Sequence, residues 1–274
     1  MFDDRDYSSS NFVEVLRQRR PDLLAPFHAA NPPTHSRQLA PLSGTFSNPP
    51  LDLLEGTTVL AAVYDEGVVI AGDRQATDGF QVGERRIEKV FEIDKTSAIA
   101  IAGIAGLAIE MARLFQVQVE FYEKIEGTML SLDGKANFLS NWLRSNLEMA
   151  LEGLIVVPIF AGYDDKQEQG RIFKYDAIGG RYDESAYYAI GSGGKDARST
   201  LKKLYRPGMS RDEILKIVAE ALWDAADEDL GTGGPDLIRD IFPTIKVIDN
   251  DGISDIPESE VKELYTELLE RLKD

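Results

Sequence analysis

The sequence predicts an α/β (α+β) chain built as a four-layer αββα sandwich, two antiparallel sheets packed together with helix pairs outside. Three observations carry that. Strand-like runs come in blocks joined by short turns rather than in strict βαβ alternation, which implies antiparallel pairing. Each of the two main blocks is followed by two helix-like stretches, giving the order β-block, two helices, β-block, two helices, β, α. The chain has 274 residues, 43% of them apolar, enough for one large domain with a full core.

Residues 1–56 stand apart. Seven of the twelve prolines fall there, with little regular periodicity. A short helix is expected over 11–19, where Phe12, Val15 and Leu16 share a face, and the rest reads as an extended or disordered leader. From residue 57 the pattern becomes regular. Apolar strands are expected at 58–64 and 68–71, joined by an Asp65-Glu66-Gly67 turn, then at 86–93 and 97–102. Leu107, Met111, Leu114, Phe115 and Val119 mark a first helix; Phe138, Leu139, Trp142, Leu143, Leu147 and Ala150 mark a second.

Strands return at 154–163, 170–175 and 186–190. A helix follows at 195–204, and another is opened by Ser210 and Glu213, a capping-box pair ahead of Ile214, Ile217, Val218, Ala221 and Leu222. A last strand at 244–248 turns through 249–252 into a terminal helix striped by Val261, Leu264, Leu268, Leu269 and Leu272.

Composition removes whole classes of chemistry. There is no cysteine, hence no disulfide, thiol nucleophile or thiolate metal site. The two histidines, His28 and His35, both precede residue 57, so the regular region has neither Cys nor His. Ser–His–Asp hydrolysis and an ordinary zinc site are excluded there, and no metal or cofactor is expected. The net charge of −17 argues against phosphate-mediated nucleic-acid binding. The acidic N-terminus is no secretory signal, and the apolar run at 153–162 is too short to span a bilayer, so a cytoplasmic protein without membrane contact is expected.

A hydrolase on this scaffold must take its base from Lys, Asp, Glu or an amine. Gly56-Thr57-Thr58, at the junction of leader and first strand, suggests backbone self-cleavage that exposes Thr57 as a new N-terminus. An N-terminal threonine carries its hydroxyl and a free amine on one residue, so nucleophile and base are neighbours without a histidine. Asp73 follows the second strand directly. Lys89 falls inside the third, on a face with Ile87 and Phe91, where a lysine is costly unless paired; Asp73 is its candidate partner, in a catalytic or a purely structural pair. Gly103 and Gly106 form a small-residue turn into a helix, a packing turn or an oxyanion donor. Ser192 lies in a Gly-rich turn after a strand, and Asp229 and Thr232 follow a helix; each site also suits an ordinary loop or cap.

Taken in order, Gly56-Thr57-Thr58, Ala71-Gly72-Asp73-Arg74, Lys89, Ala102-Gly103-x-x-Gly106, Gly191-Ser192-Gly193 and Asp229-x-x-Thr232-Gly233-Gly234 resemble a proteasome β-subunit, the actinobacterial 20S branch in particular. The segments 122–127, 222–227 and 233–237 are similar to that branch, and the likeness covers 57–274, with 1–56 resembling a propeptide. The resemblance implies an N-terminal-nucleophile hydrolase fold and a threonine endopeptidase released by cleavage between Gly56 and Thr57.

It further implies that Thr57 is the nucleophile, that Asp73 and Lys89 flank it, and that Gly103 supplies an oxyanion N–H. Ser192 and Asp229 would hold the new N-terminus, and Thr232, also among the catalytic residues, stands where the family more often has Ser and keeps the hydroxyl. Ala76, Ile87, Ile101, Ala105 and Ile109 would line an apolar specificity pocket suited to chymotrypsin-like cleavage, with Thr77 and Ala105 offering backbone groups to the peptide. Gln75 departs from the commoner Arg-Arg pattern, at a position not expected to touch chemistry.

The implied partners are proteasome α-subunits and further β-subunits in an α7β7β7α7 barrel, a ring-shaped ATPase, and substrates tagged by a ubiquitin-like modifier. Whether Lys89 or the Thr57 amine is the base stays open. A catalytically silent ring subunit, a two-ring bacterial threonine peptidase and a small-molecule amidase are the rival readings.

Overall fold

Strand β1 (Thr58–Tyr64) begins one residue after Thr57, and its composition explains its place. Val59 and Ala61 belong to one cluster of buried residues; Leu60, Ala62 and Tyr64 belong to another. A strand buried on both faces reads as a continuous apolar run, and this one does. The structure, a computed structural model, describes residues 56–78 and 81–273. The helix expected over 11–19 and the leader around it lie outside the described residues.

β1 pairs with β2 (Gly67–Gly72) through the Asp65-Glu66 turn, Tyr64 opposite Gly67, and with β10 (Tyr187–Gly191) on its other side. β11 (Thr244–Asp249) and β12 (Gly252–Asp255) complete a five-stranded antiparallel sheet in the order β10-β1-β2-β11-β12. The second sheet, also antiparallel, runs β5 (Val90–Asp94), β6 (Ser97–Gly103), β7 (Val156–Asp164), β8 (Gln169–Tyr175), β9 (Arg181–Glu184). A small hairpin of β3 (Ala76–Asp78) and β4 (Gln81–Glu84) stands beside them.

The helices are α1 (Ala105–Glu126), α2 (Leu132–Ser145), α3 (Leu147–Leu151), α4 (Gly194–Leu204), α5 (Arg211–Glu228) and α6 (Glu258–Arg271). The class is α+β with antiparallel sheets. One buried cluster joins Val59, Ala61, Val68 and Ile70 of the first sheet to Ala98, Ala100, Ile159 and Ala161 of the second. Another joins the first sheet to Leu201 of α4, Ile214 and Val218 of α5, and Tyr265 of α6. A third joins Ile99, Phe160 and Phe173 of the second sheet to Met111 and Phe115 of α1 and Leu139 of α2. The capping box of α5 forms: Glu213 N–H donates to Ser210 Oγ, and Ser210 N–H donates to Glu213 Oε2 at 2.8 Å.

Three expectations are corrected. The third strand starts at Val90, not at 86, because the Ile87 N–H is drawn to the Arg74 carbonyl (3.0 Å) instead of to β6. Lys89 therefore precedes the strand, although its carbonyl still accepts from Ile101 N–H. The second helix ends at Ser145: the Asn146 side chain donates to the Trp142 carbonyl at 2.8 Å and competes with the helix ladder, so Leu147 and Ala150 fall in the separate α3. Leu114, Leu147 and Leu272, assigned to buried stripes, are exposed.

Tyr265 in α6 is fully buried, stacked on Phe242, and its hydroxyl has no hydrogen-bond partner among the described residues. Burial first, then the negative charge of Asp73, pushes this phenol above its ordinary range. A buried hydroxyl without a partner costs stability. Tyr265→Phe is expected to stabilise the fold by about 1 kcal/mol. Thermal unfolding checks this, and a lowered midpoint would show the hydroxyl to be satisfied.

Candidate active site

The site forms where β1 begins, β2 ends and β5 is about to start. Asp73, immediately after β2, is wholly buried and accepts four hydrogen bonds. Oδ1 accepts from Lys89 Nζ at 2.7 Å and Thr58 N–H at 2.8 Å; Oδ2 accepts from Gln75 N–H and Gly233 N–H, both at 2.9 Å. A buried carboxylate needs this many donors and a counter-charge to remain ionised. Lys89, 6% exposed, supplies the charge and also donates to the Gly56 carbonyl at 3.2 Å. One ammonium thus bridges the buried acid and the carbonyl of the Gly56–Thr57 peptide bond.

A second network holds Thr57 from the other side. Its N–H donates to Ser192 Oγ at 3.1 Å, and its carbonyl accepts from Ser192 N–H at 2.8 Å. Ser192 Oγ lies 2.5 Å from Asp229 Oδ2 and 3.3 Å from the Thr57 carbonyl, so its single proton goes to the carboxylate. Thr232 Oγ1 donates to the same oxygen at 2.6 Å, which obliges Thr58 Oγ1, 2.7 Å away, to donate to Thr232. Asp229 therefore orients a directed chain of donors reaching the Thr57 nitrogen.

Backbone contact fixes the junction itself. A Cβ built on Gly56 would lie 2.0 Å from Gly231 Cα, so any side chain there drives into the 229–233 loop. Gly56 N–H donates to Thr77 Oγ1 at 2.9 Å, placing that hydroxyl on the junction. Gly103 ends β6 at φ +124°, where a Cβ would meet the Ile155 carbonyl at 2.2 Å; the conformation and the space both demand glycine. It leads into α1, whose N-cap residue Ile104 offers no side-chain acceptor.

A cavity opens beside Thr57, lined by Ala76, Ile87, Glu88, Lys89, Ile101, Gly103, Ala105 and Ala108. The structure thus brings together Thr57, Asp73, Lys89 and Gly103 with Ala76, Ile87, Ile101 and Ala105, and connects Ser192, Asp229 and Thr232 to Thr57. Ile109 lies outside the cavity, one position from Ala108 on α1. The sequence reading missed Thr58, Gln75, Ala108, Gly231 and Gly233. Thr58 read as the first residue of a buried strand, Gln75 reaches a distant carbonyl through its side-chain amide, and Ala108, Gly231 and Gly233 act through backbone groups or size, which leave little compositional signal. Among the described residues no group of His, Cys, Asp and Glu is arranged to hold a metal ion, and no helix is long and apolar enough to cross a membrane.

The family model described as "Proteasome subunit" matches residues 54–237. A Proteasome subunit beta of Streptomyces griseus is 48% identical over 263 residues, 96% of this chain and 89% of its own length. That of Jonesia denitrificans is 56% identical over 218 residues, 79% of this chain and 72% of its own. That of Acidimicrobium ferrooxidans is 53% identical over 213 residues, 78% of each. On these matches the chain belongs to the proteasome subunit family, on its β branch, and is a threonine endopeptidase that hydrolyses peptide bonds.

Proposed function

We propose that this chain is a self-processing β-subunit of a 20S proteasome core whose nucleophile is Thr57. The observation that carries the reading is the Lys89 ammonium in contact with both Asp73 and the Gly56 carbonyl, next to Thr57. In processing, Thr57 Oγ attacks the Gly56 carbonyl carbon; the C–N bond breaks, the nitrogen takes a proton, and an ester joins Gly56 to Thr57 Oγ. Water then hydrolyses the ester, releasing residues 1–56 and leaving a free Thr57 amine. That amine falls within the donor chain of Ser192 and Asp229. The alignment with the Streptomyces griseus relative is longer than the segment from Thr57 to the C-terminus, so part of the stretch ahead of Thr57 has a counterpart in that protein.

In peptide hydrolysis Thr57 Oγ gives its proton to the free Thr57 amine, or to Lys89 in its neutral amine form, and forms an ester with the substrate acyl group. The leaving amine takes a proton, the Gly103 N–H steadies the tetrahedral oxyanion, and water regenerates the enzyme. Ala76, Ile87, Ile101, Ala105 and Ala108 make an apolar wall that favours cleavage after large hydrophobic side chains. The three buried clusters support a four-layer αββα order, the N-terminal-nucleophile hydrolase fold.

Family membership supports α-subunit partners, seven-membered rings stacked as α7β7β7α7, a ring-shaped ATPase, tagged protein substrates and a cytoplasmic location. The test is co-expression with an α-subunit, intact mass of the β chain, and turnover of fluorogenic peptides differing at the residue before the cut. The expected mass begins at Thr57, and Leu, Phe and Tyr peptides outpace Glu and Arg peptides. An uncut chain in a complete assembly, or no peptide turnover, would overturn the reading.

A further inference from the structure

We propose that Gln75 is a positioning residue of this site: its side-chain amide fastens the loop carrying Asp229 and Gly231 to the turn carrying Asp73. The proposal rests on the reading of Thr57 as nucleophile. Gln75 Nε2 donates to the Leu230 carbonyl at 3.0 Å, between Asp229 and Gly231 in the chain. Its own N–H donates to Asp73 Oδ2, the oxygen that also accepts from Gly233 N–H. Its Cβ packs on Gly233 so closely that a Cβ built there would lie 2.6 Å from it. One residue therefore meets the loop at Leu230 and Gly233 and the buried acid at Asp73.

The loop needs such a tie. Leu230 has a fully solvated side chain, 95% exposed, and contributes no packing to hold the turn. What the loop presents is demanding: Asp229 2.5 Å from Ser192 Oγ, and the Gly231 backbone against Gly56. The Thr58–Thr232 bond anchors its far end. The Leu230 carbonyl is the point where Gln75 anchors the near end. Gln75 does not line the cavity beside Thr57, so it acts through Asp229 and not through substrate contact. Its amide N–H is the required group. A glutamate of the same shape would turn an acceptor toward a carbonyl and add a carboxylate beside Asp73, whereas an arginine keeps N–H donors.

The experiment compares wild type, Q75A, Q75E and Q75R, each co-expressed with the α-subunit and checked for processing by intact mass. Steady-state kinetics with a fluorogenic peptide ending in Leu read kcat and KM. Q75E is expected to lower kcat about tenfold and Q75A about fivefold, with Q75R within about twofold and KM within about twofold throughout. Leader removal slows in the same order. No turnover by a wild-type assembly would overturn the function reading and this proposal with it. Wild-type turnover with Q75E within twofold of it, or Q75R falling as far as Q75E, would overturn the proposal alone. Should Q75E fail to assemble, Q75A against Q75R reads the same difference, and equal kcat in the two overturns it.

Discussion

Thr57→Ala leaves residues 1–56 attached and reduces peptide turnover by more than about 10³-fold, while Thr57→Ser keeps processing and activity within about tenfold of wild type. The contrast isolates one oxygen. Thr57 is 4% exposed and tied by its backbone to Ser192, so losing the hydroxyl leaves a small void and an intact frame. Cysteine and histidine are absent from 57 onward, and the neighbouring hydroxyls of Thr58, Ser192 and Thr232 already have their protons committed. Serine supplies the same nucleophile without the methyl that fixes its rotamer, hence a partial loss. Intact mass and peptide turnover of the assembled variants check this. A correctly cut Thr57→Ala chain would show that another group attacks the Gly56 carbonyl.

Much of this was legible in the sequence, and the reasons differ by residue. β1, β2 and β6 are buried on both faces, so their composition announces them. β4 (QVGE), β9 (RYDE) and β12 (GISD) carry no apolar run, because they lie at or near solvent, and they escaped notice. Asp73 and Lys89 betrayed themselves as charges among apolar neighbours, which is what a buried pair looks like in one dimension. Gly231 and Gln75 gave no such sign. The first matters for the side chain it lacks against Gly56, and the second for one hydrogen bond from its amide to a carbonyl 155 positions away, a relation that only the folded loop creates. The sequence places Gln75 at a position not expected to touch chemistry; in the fold its N–H donates to Asp73 Oδ2 directly.

Lys89→Ala and Lys89→Arg are both expected to stop leader removal and to lower turnover by at least about 10³-fold, near the upper range for one proton-transfer group. The alanine variant removes the cationic partner of Asp73, and breaking a buried pair costs about 3–5 kcal/mol where nothing compensates. Here Thr58, Gln75 and Gly233 still direct three N–H groups at the carboxylate, so the variant folds and its thermal midpoint falls by less than that cost implies. The arginine variant carries the argument further. It restores the positive charge beside Asp73 but cannot release a proton, and its planar fork does not reproduce a single point donor shared between an acid and the Gly56 carbonyl. If Lys89 served only as a charge, arginine would recover a substantial part of the rate that alanine loses. Equal loss in the two, with folding retained in both, shows that a positive charge alone does not serve at this position; recovery by arginine assigns proton transfer to the Thr57 amine and leaves Lys89 an electrostatic part.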